Sequence, residues 1–95
     1  MAVSEVKSVA TRQFWKLFDA LPAEVQKLAV KNYRLWRREP GHRSLRFRRL
    51  RGSEDRFTIR VGDHYRAIGR MLDAEIRWVW IGTHADYDRL TGSRS

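Results

Sequence analysis

Apolar positions recur at helical spacing over the first third of the chain and at strand spacing over the rest. Phe14, Leu17, Phe18 and Leu21 lie on one helical stripe, which Val6, Val9 and Ala10 extend weakly backwards. Pro22 interrupts it. Proline is favoured at the first helical position and Glu24 suits the first turn, so a second helix is predicted from there, with Val25, Leu28, Ala29, Tyr33 and Trp36 as its apolar face. It ends before Glu39-Pro40-Gly41, where proline disfavours helix in the preceding residue and glycine permits a turn. The two helices read as a hairpin.

After Gly41 the period falls to two. Leu45 and Phe47 alternate with Arg46 and Arg48, then Phe57, Ile59 and Val61 with Thr58 and Arg60, then Tyr65, Ala67 and Gly69 with Arg66, Ile68 and Arg70. Ile76 to Ile81 is apolar at both parities except Arg77, as in a central strand covered on two sides. Turns are predicted at Arg51 to Asp55, Gly62 to His64 and Asp73 to Glu75. The expected fold is α+β: an amino-terminal helical hairpin on a curved, mainly antiparallel four-stranded sheet, closed by a short carboxy-terminal helical turn. Without a repeat, low-complexity linker or composition break, residues 1–95 read as a single domain.

Composition adds a partner class. The chain has 20 Lys or Arg against 11 Asp or Glu, a net charge of +9, and the basic residues are 16 Arg to 4 Lys. With 42% hydrophobic residues that charge is carried by a folded core and not by a disordered tail. Guanidinium forks suit bidentate phosphate contact and base stacking, so the excess points to nucleic acid. Residues 41 to 70 hold 9 basic and 3 acidic groups, which places most of it in the strand region.

Register sharpens the placement. A three-residue loop, Gly62 to His64, sets Val61 opposite Tyr65, Arg60 opposite Arg66 and Ile59 opposite Ala67, so apolar and arginine side chains take opposite faces. Two directly opposed arginines repel by up to ~1 kcal/mol, and either splay into water or hold an anion between them. After the last strand, Thr83 and Asp86 have the spacing of a helix start, which projects His84 and Tyr87 from one side of the turn. Taken alone that segment reads as a cap, a surface histidine and a core tyrosine. Trp15, Trp36, Trp78 and Trp80 read as core.

Other chemistry is excluded or unsupported. There is no cysteine, hence no disulfide framework or thiolate zinc site, and three dispersed histidines make a poor metal set. No cofactor is implied. No apolar run approaches the ~18 residues of a membrane span, and Met1 to Ala10 lacks the apolar centre of a signal peptide, so a cytoplasmic protein is expected.

The ordered features resemble the RelE/ParE superfamily of bacterial toxin-antitoxin toxins. The resemblance runs from about Thr11 to Leu90 and rests on the hairpin Phe14 to Trp36, on Leu45-Arg46-Phe47-Arg48-Arg49-Leu50-Arg51-Gly52, on Phe57-Thr58-Ile59-Arg60-Val61, on Tyr65-Arg66-Ala67-Ile68 and on Ile81-Gly82-Thr83-His84-Ala85-Asp86-Tyr87. It implies a curved sheet against two helices and, for the RelE-like branch, cleavage of messenger RNA in the ribosomal A site under control of a cognate antitoxin. ParE-like members poison DNA gyrase instead and lack the nuclease residues. Arg60 and Arg66 match phosphate-holding positions, His84 matches a functional position after the last strand, and Tyr87 matches a terminal tyrosine. Thr58 stands where some relatives carry a further basic residue. The expected catalytic set is Arg60, Arg66, His84 and Tyr87, with Arg46, Arg48, Arg49 and Arg51 gripping RNA backbone. The ribosome, messenger RNA and an acidic antitoxin are the expected partners, and a gyrase inhibitor or a non-catalytic basic RNA-binding module are the alternatives.

Overall fold

A computed structural model describes residues 6–92; the first five residues of the stretch read above as lacking a signal-peptide centre lie outside it. The order of elements is β1 (Lys7–Ala10), α1 (Arg12–Asp19), α2 (Ala23–Arg38), a 3-10 turn (Arg43–Leu45), β2 (Arg48–Arg49), β3 (Arg56–Val61), β4 (Tyr65–Leu72), β5 (Glu75–Thr83) and α3 (His84–Thr91). The strands form one five-stranded sheet in the order β1-β5-β4-β3-β2.

The helical hairpin forms as its pattern predicts. Thr11 caps α1, its hydroxyl accepting from the Phe14 N–H at 3.1 Å, and Gln26 donates to the Phe18 carbonyl at 2.9 Å, tying α2 to the end of α1. Pro22 sits one place earlier than expected, at the N-cap of α2. The larger departure is at the start. Val9 and Ala10 do not extend α1: they belong to β1, which runs parallel to β5 in the register Ala10 to Trp78, making the sheet mixed and five-stranded where four mainly antiparallel strands were expected. Ser8 fixes this strand from both sides, its hydroxyl receiving the Tyr33 O–H at 3.0 Å and the Trp78 indole N–H at 3.1 Å.

The β3–β4 register is the predicted one: Arg60 faces Arg66, Ile59 faces Ala67 and Val61 faces Tyr65. Between the helices and the sheet, Trp36, Leu45, Ile59, Val61, Ala67, Ile76, Trp78 and Ile81 form the buried core. Trp36 is the hub. It is fully buried and meets Trp78 and Phe47 edge-on at 5.3 and 5.5 Å. Trp15 is not core but 49% exposed on α1, and Trp80 lies on the sheet face opposite the core, against Tyr87 of α3.

A bulge at Ile68/Gly69 shifts the β4–β5 register. It explains why Ile76, Trp78 and Ile81 all reach the core although their numbers differ in parity: the extra residue, Val79, resets the alternation. The segment 43–48 departs from strand. Only Arg48–Arg49 pair with β3, Leu45 lies in the 3-10 turn, and Arg46 is left-handed at φ 47°.

Arg70 donates twice to Asp55 Oδ2, at 3.1 and 2.8 Å, which holds the Asp55 carboxyl below its ordinary value of 3.8. A carboxyl depressed in the folded state contributes stability above its unfolded pKa and loses it as pH falls through the folded one. Melting temperatures of wild type and Asp55→Asn are therefore expected to differ by a constant amount at neutral pH and to converge on acidification below 3.8. Equal melting at every pH would show the pair to be inert.

A candidate phosphate-binding face

The sheet face turned away from the helices is built from three rows across the strands. Arg56, Arg70 and Arg77 make one, Arg48, Thr58, Ile68 and Trp80 the next, and Arg60, Arg66 and Gly82 the third. The middle row is buried at its centre, with Thr58 and Ile68 each 4% exposed between Arg48 and Trp80, and Trp80 lies against Tyr87 of α3. This burial was not expected: Thr58 and Ile68 alternate with core residues and read as solvent-facing.

The arginines of the outer rows differ in what holds them. Arg70 is bound by Asp55, and Arg77 by Glu75 at 2.8 Å. Arg60 donates from Nε to the Gly62 carbonyl at 3.0 Å and from Nη2 to Asp63 at 2.5 Å, which fixes the fork against the β3–β4 loop. Arg66 has no carboxylate partner among the described residues. Its Nε is buried without a hydrogen-bond acceptor, and its guanidinium lies 5.7 Å from the centre of the Tyr87 ring. Burial lowers its pKa, Tyr87 opposes that shift, and the charges of Arg60, Arg46 and Arg48 add to it. Four guanidinium groups therefore share one field around a donor that lacks an acceptor, an arrangement stabilised by an anion.

At the end of β5, Thr83 caps α3, its hydroxyl accepting from the Asp86 N–H at 3.1 Å, as the spacing predicted. The first residue of the helix is His84, whose backbone N–H donates to the His64 carbonyl at 2.7 Å. His84 Nδ1 lies 3.1 Å from Asp88 Oδ2, one turn on. That contact favours a proton on Nδ1 and leaves Nε2 for proton exchange. The His84 and Tyr87 rings are 6.1 Å apart, and Tyr87 is 6.4 Å from Trp80.

Arg66, Tyr87 and His84 thus meet where β4, β5 and α3 join, and Arg60 stands across the ladder from Arg66 on β3. Arg46 and Arg48 approach from the β2 side. Arg49 and Arg51 do not: Arg49 pairs with Phe57, whose side chains take the opposite sheet face, and Arg51 lies in the β2–β3 turn, at the other end of β3 from Arg60. Asp88 and Trp80 were missed. The His84–Asp88 spacing of four on a helix was a readable signal. Trp80 was hidden by the apolar run around it.

Gly82 explains how Trp80 lies. A Cβ there would stand 2.6 Å from Cζ2 and 2.8 Å from Cη2 of Trp80, so only glycine lets the indole rest over the end of β5. Gly82→Ala is expected to displace the ring and destabilise the fold by about 1–3 kcal/mol. A thermal melt and tryptophan fluorescence unchanged from wild type would contradict this packing.

A family model described as the ParE-like toxin domain matches residues 23–89. Among curated protein sequences none matches the chain. Solved structures with the same fold include the archaeal RelE–RelB complex of Pyrococcus horikoshii, at 20% identity over 83% of this chain and 94% of that one, with a TM-score of 0.64. The RelB–RelE complex of Methanococcus jannaschii is 17% identical over 85% and 96%, TM-score 0.68. A variant of Escherichia coli toxin RelE in the free state is 16% identical over 92% and 93%, TM-score 0.67. With its family model spanning β3, β4, β5 and the hairpin's second helix, and its fold that of the RelE toxins, the chain belongs to the ParE-like toxin domain family of the RelE/ParE superfamily.

Proposed function

We propose that the protein is the toxin of a type II toxin-antitoxin pair and acts as a ribosome-dependent endoribonuclease on messenger RNA, inhibiting translation in the cytoplasm. The observation that carries this reading is Arg66: a half-buried arginine, its Nε buried and without an acceptor, with no carboxylate partner among the described residues, beside Tyr87 and in the field of Arg46, Arg48 and Arg60.

The geometry supports transesterification as the reaction. The ribose 2′-oxygen attacks phosphorus while its proton passes to a base, the pentacoordinate phosphorane gathers negative charge, and the 5′-oxygen leaves with a proton, giving a 2′,3′-cyclic phosphate and a 5′-hydroxyl. Arg66 and Arg60 stabilise the phosphorane. His84, oriented through Nδ1 by Asp88, serves as acid or base through Nε2. Tyr87, against Arg66, positions the reacting nucleotide. No step of this scheme requires a metal.

The antitoxin has a suitable seat on the opposite side. Trp15, Val30 and Tyr33, 49, 40 and 39% exposed, border an apolar cleft between α1 and α2. Lys27, Lys31 and Arg34 line the groove beside it. An acidic amphipathic segment matches both.

The test is primer extension on messenger RNA after induction in cells. Wild type is expected to leave codon-positioned cuts, and His84→Ala to reduce them by about 10²-fold, the usual cost of losing a general acid or base. Arg60→Ala is expected to impair cleavage more than Arg38→Ala. Toxicity without codon-positioned cuts would sink the nuclease assignment and favour the gyrase-inhibiting reading, which the ParE-like family model keeps as the second candidate.

A further inference from the structure

Beside the open face, on the β2 side of Arg66, lies a polar concavity of ≈ 520 Å³. Its walls include His42, Arg43, Ser44, Arg46, Arg48 and Arg60, and no carboxylate lines it. Arg60 is countered by Asp63, but Arg43, Arg46 and Arg48 have no carboxylate partner among the described residues, and like charges around one hollow repel unless an anion lies among them.

The hollow is rigidly built. Leu45 is fully buried, and Phe47 stacks on Phe57 at 5.2 Å and meets Trp36 at 5.5 Å. These two anchors flank Arg46 and hold it left-handed at φ 47°, a conformation that costs a non-glycine residue about 1 kcal/mol or more. His42 caps the turn, its Nδ1 accepting from the Ser44 N–H at 3.2 Å and lying 2.8 Å from the Ser44 hydroxyl. Strain at a basic position pinned by two core side chains is retained where the side chain has work to do. Arg60 lines the hollow and also stands opposite Arg66, so the two places adjoin.

We propose that this concavity is a second phosphate subsite, which seats the phosphodiester next along a single RNA strand from the one held at Arg66, with Arg60 between them. It rests on the proposed reading of the open face as an RNA-binding site. It adds Arg43 and His42 to that site and separates Arg46 and Arg48, which grip substrate, from Arg49 and Arg51, which do not. Reading two consecutive phosphates fixes the direction and register of the strand over His84, which a single phosphate contact leaves free.

The experiment measures binding of a 2′-O-methyl trinucleotide, which cannot be cleaved, against versions in which one or the other linkage is an uncharged methylphosphonate. The proteins are wild type, Arg66→Ala, the control Arg38→Ala, and the double variant Arg43→Ala/Arg46→Gly, in which glycine accepts the positive φ. Neutralising the second linkage is expected to weaken wild type and Arg38→Ala by about tenfold and the double variant not at all, with the salt slope of the double variant falling by about one or two charges. If the double variant keeps the full penalty while Arg66→Ala weakens binding, the subsite is overturned and the open-face reading stands. If the fully charged trinucleotide binds wild type and Arg66→Ala equally, or binds neither, the open-face reading falls and the subsite with it.

Discussion

Arg66→Ala is expected to lower messenger RNA cleavage by about 10³-fold, the upper range for removing one donor to a developing oxyanion. Two features of its setting place it at that upper end. The Nε is buried with no acceptor among the described residues, and neighbouring arginines already load the same field. An ammonium cannot replace the fork, so Arg66→Lys is expected to recover little of the loss. The fold should survive either change, since Arg66 forms no ion pair that breaks. Codon-positioned cleavage in a translating extract, quantified by primer extension beside melting temperature, separates the two effects. A folded Arg66→Ala protein that cleaves within about threefold of wild type would remove Arg66 from the reaction.

The second large effect lies in the core. Leu45→Ala is expected to cost about 3 kcal/mol, or roughly 12–24 °C in Tm for a domain of this size. Leu45 is fully buried, and the 3-10 turn around it leaves the neighbouring backbone no easy way to collapse into the space. The same change frees Arg46 from its left-handed position, so RNA affinity should fall in the fraction that remains folded. Arg46→Gly offers the contrast: the guanidinium goes but the backbone strain is relieved, and Tm is expected to stay within about 1 kcal/mol of wild type. Melting of Leu45→Ala close to wild type would mean that this turn is held by something other than its core anchor.

How far the sequence could be read depended on the range of the interaction. The helical hairpin, the Gly62–His64 loop and the Arg60–Arg66 pairing all follow from local periodicity plus the rule that apolar side chains share a face, and each stands as predicted. The first strand did not. Its Val9 and Ala10 fall on the stripe of the following helix, and only contacts made across most of the chain, such as Trp78 to Ser8, draw the segment into the sheet. The left-handed Arg46 was equally hidden, because no glycine or asparagine marks it and the tertiary anchors on either side impose it.

The site divides in the same way. His84 and Tyr87 follow from the cap at Thr83, and the Asp88 partner was available at the same helical spacing. Burial of Thr58, Ile68 and the Arg66 Nε was not legible, since strand alternation alone leaves that face open. Arg49 and Arg51 were drawn in by proximity along the chain. The pleat sends the first to the other face and the turn carries the second away.

Strand β5 lies between β1 and β4, yet it is the last strand to be made. A chain ending at β4 would leave β1 without its parallel partner and would lack both His84 and Tyr87. Insertion of β5 closes the sheet and delivers α3 to Arg66 in the same event. Closure of the sheet and assembly of the proposed site thus depend on one and the same strand, the last of the described strands in chain order.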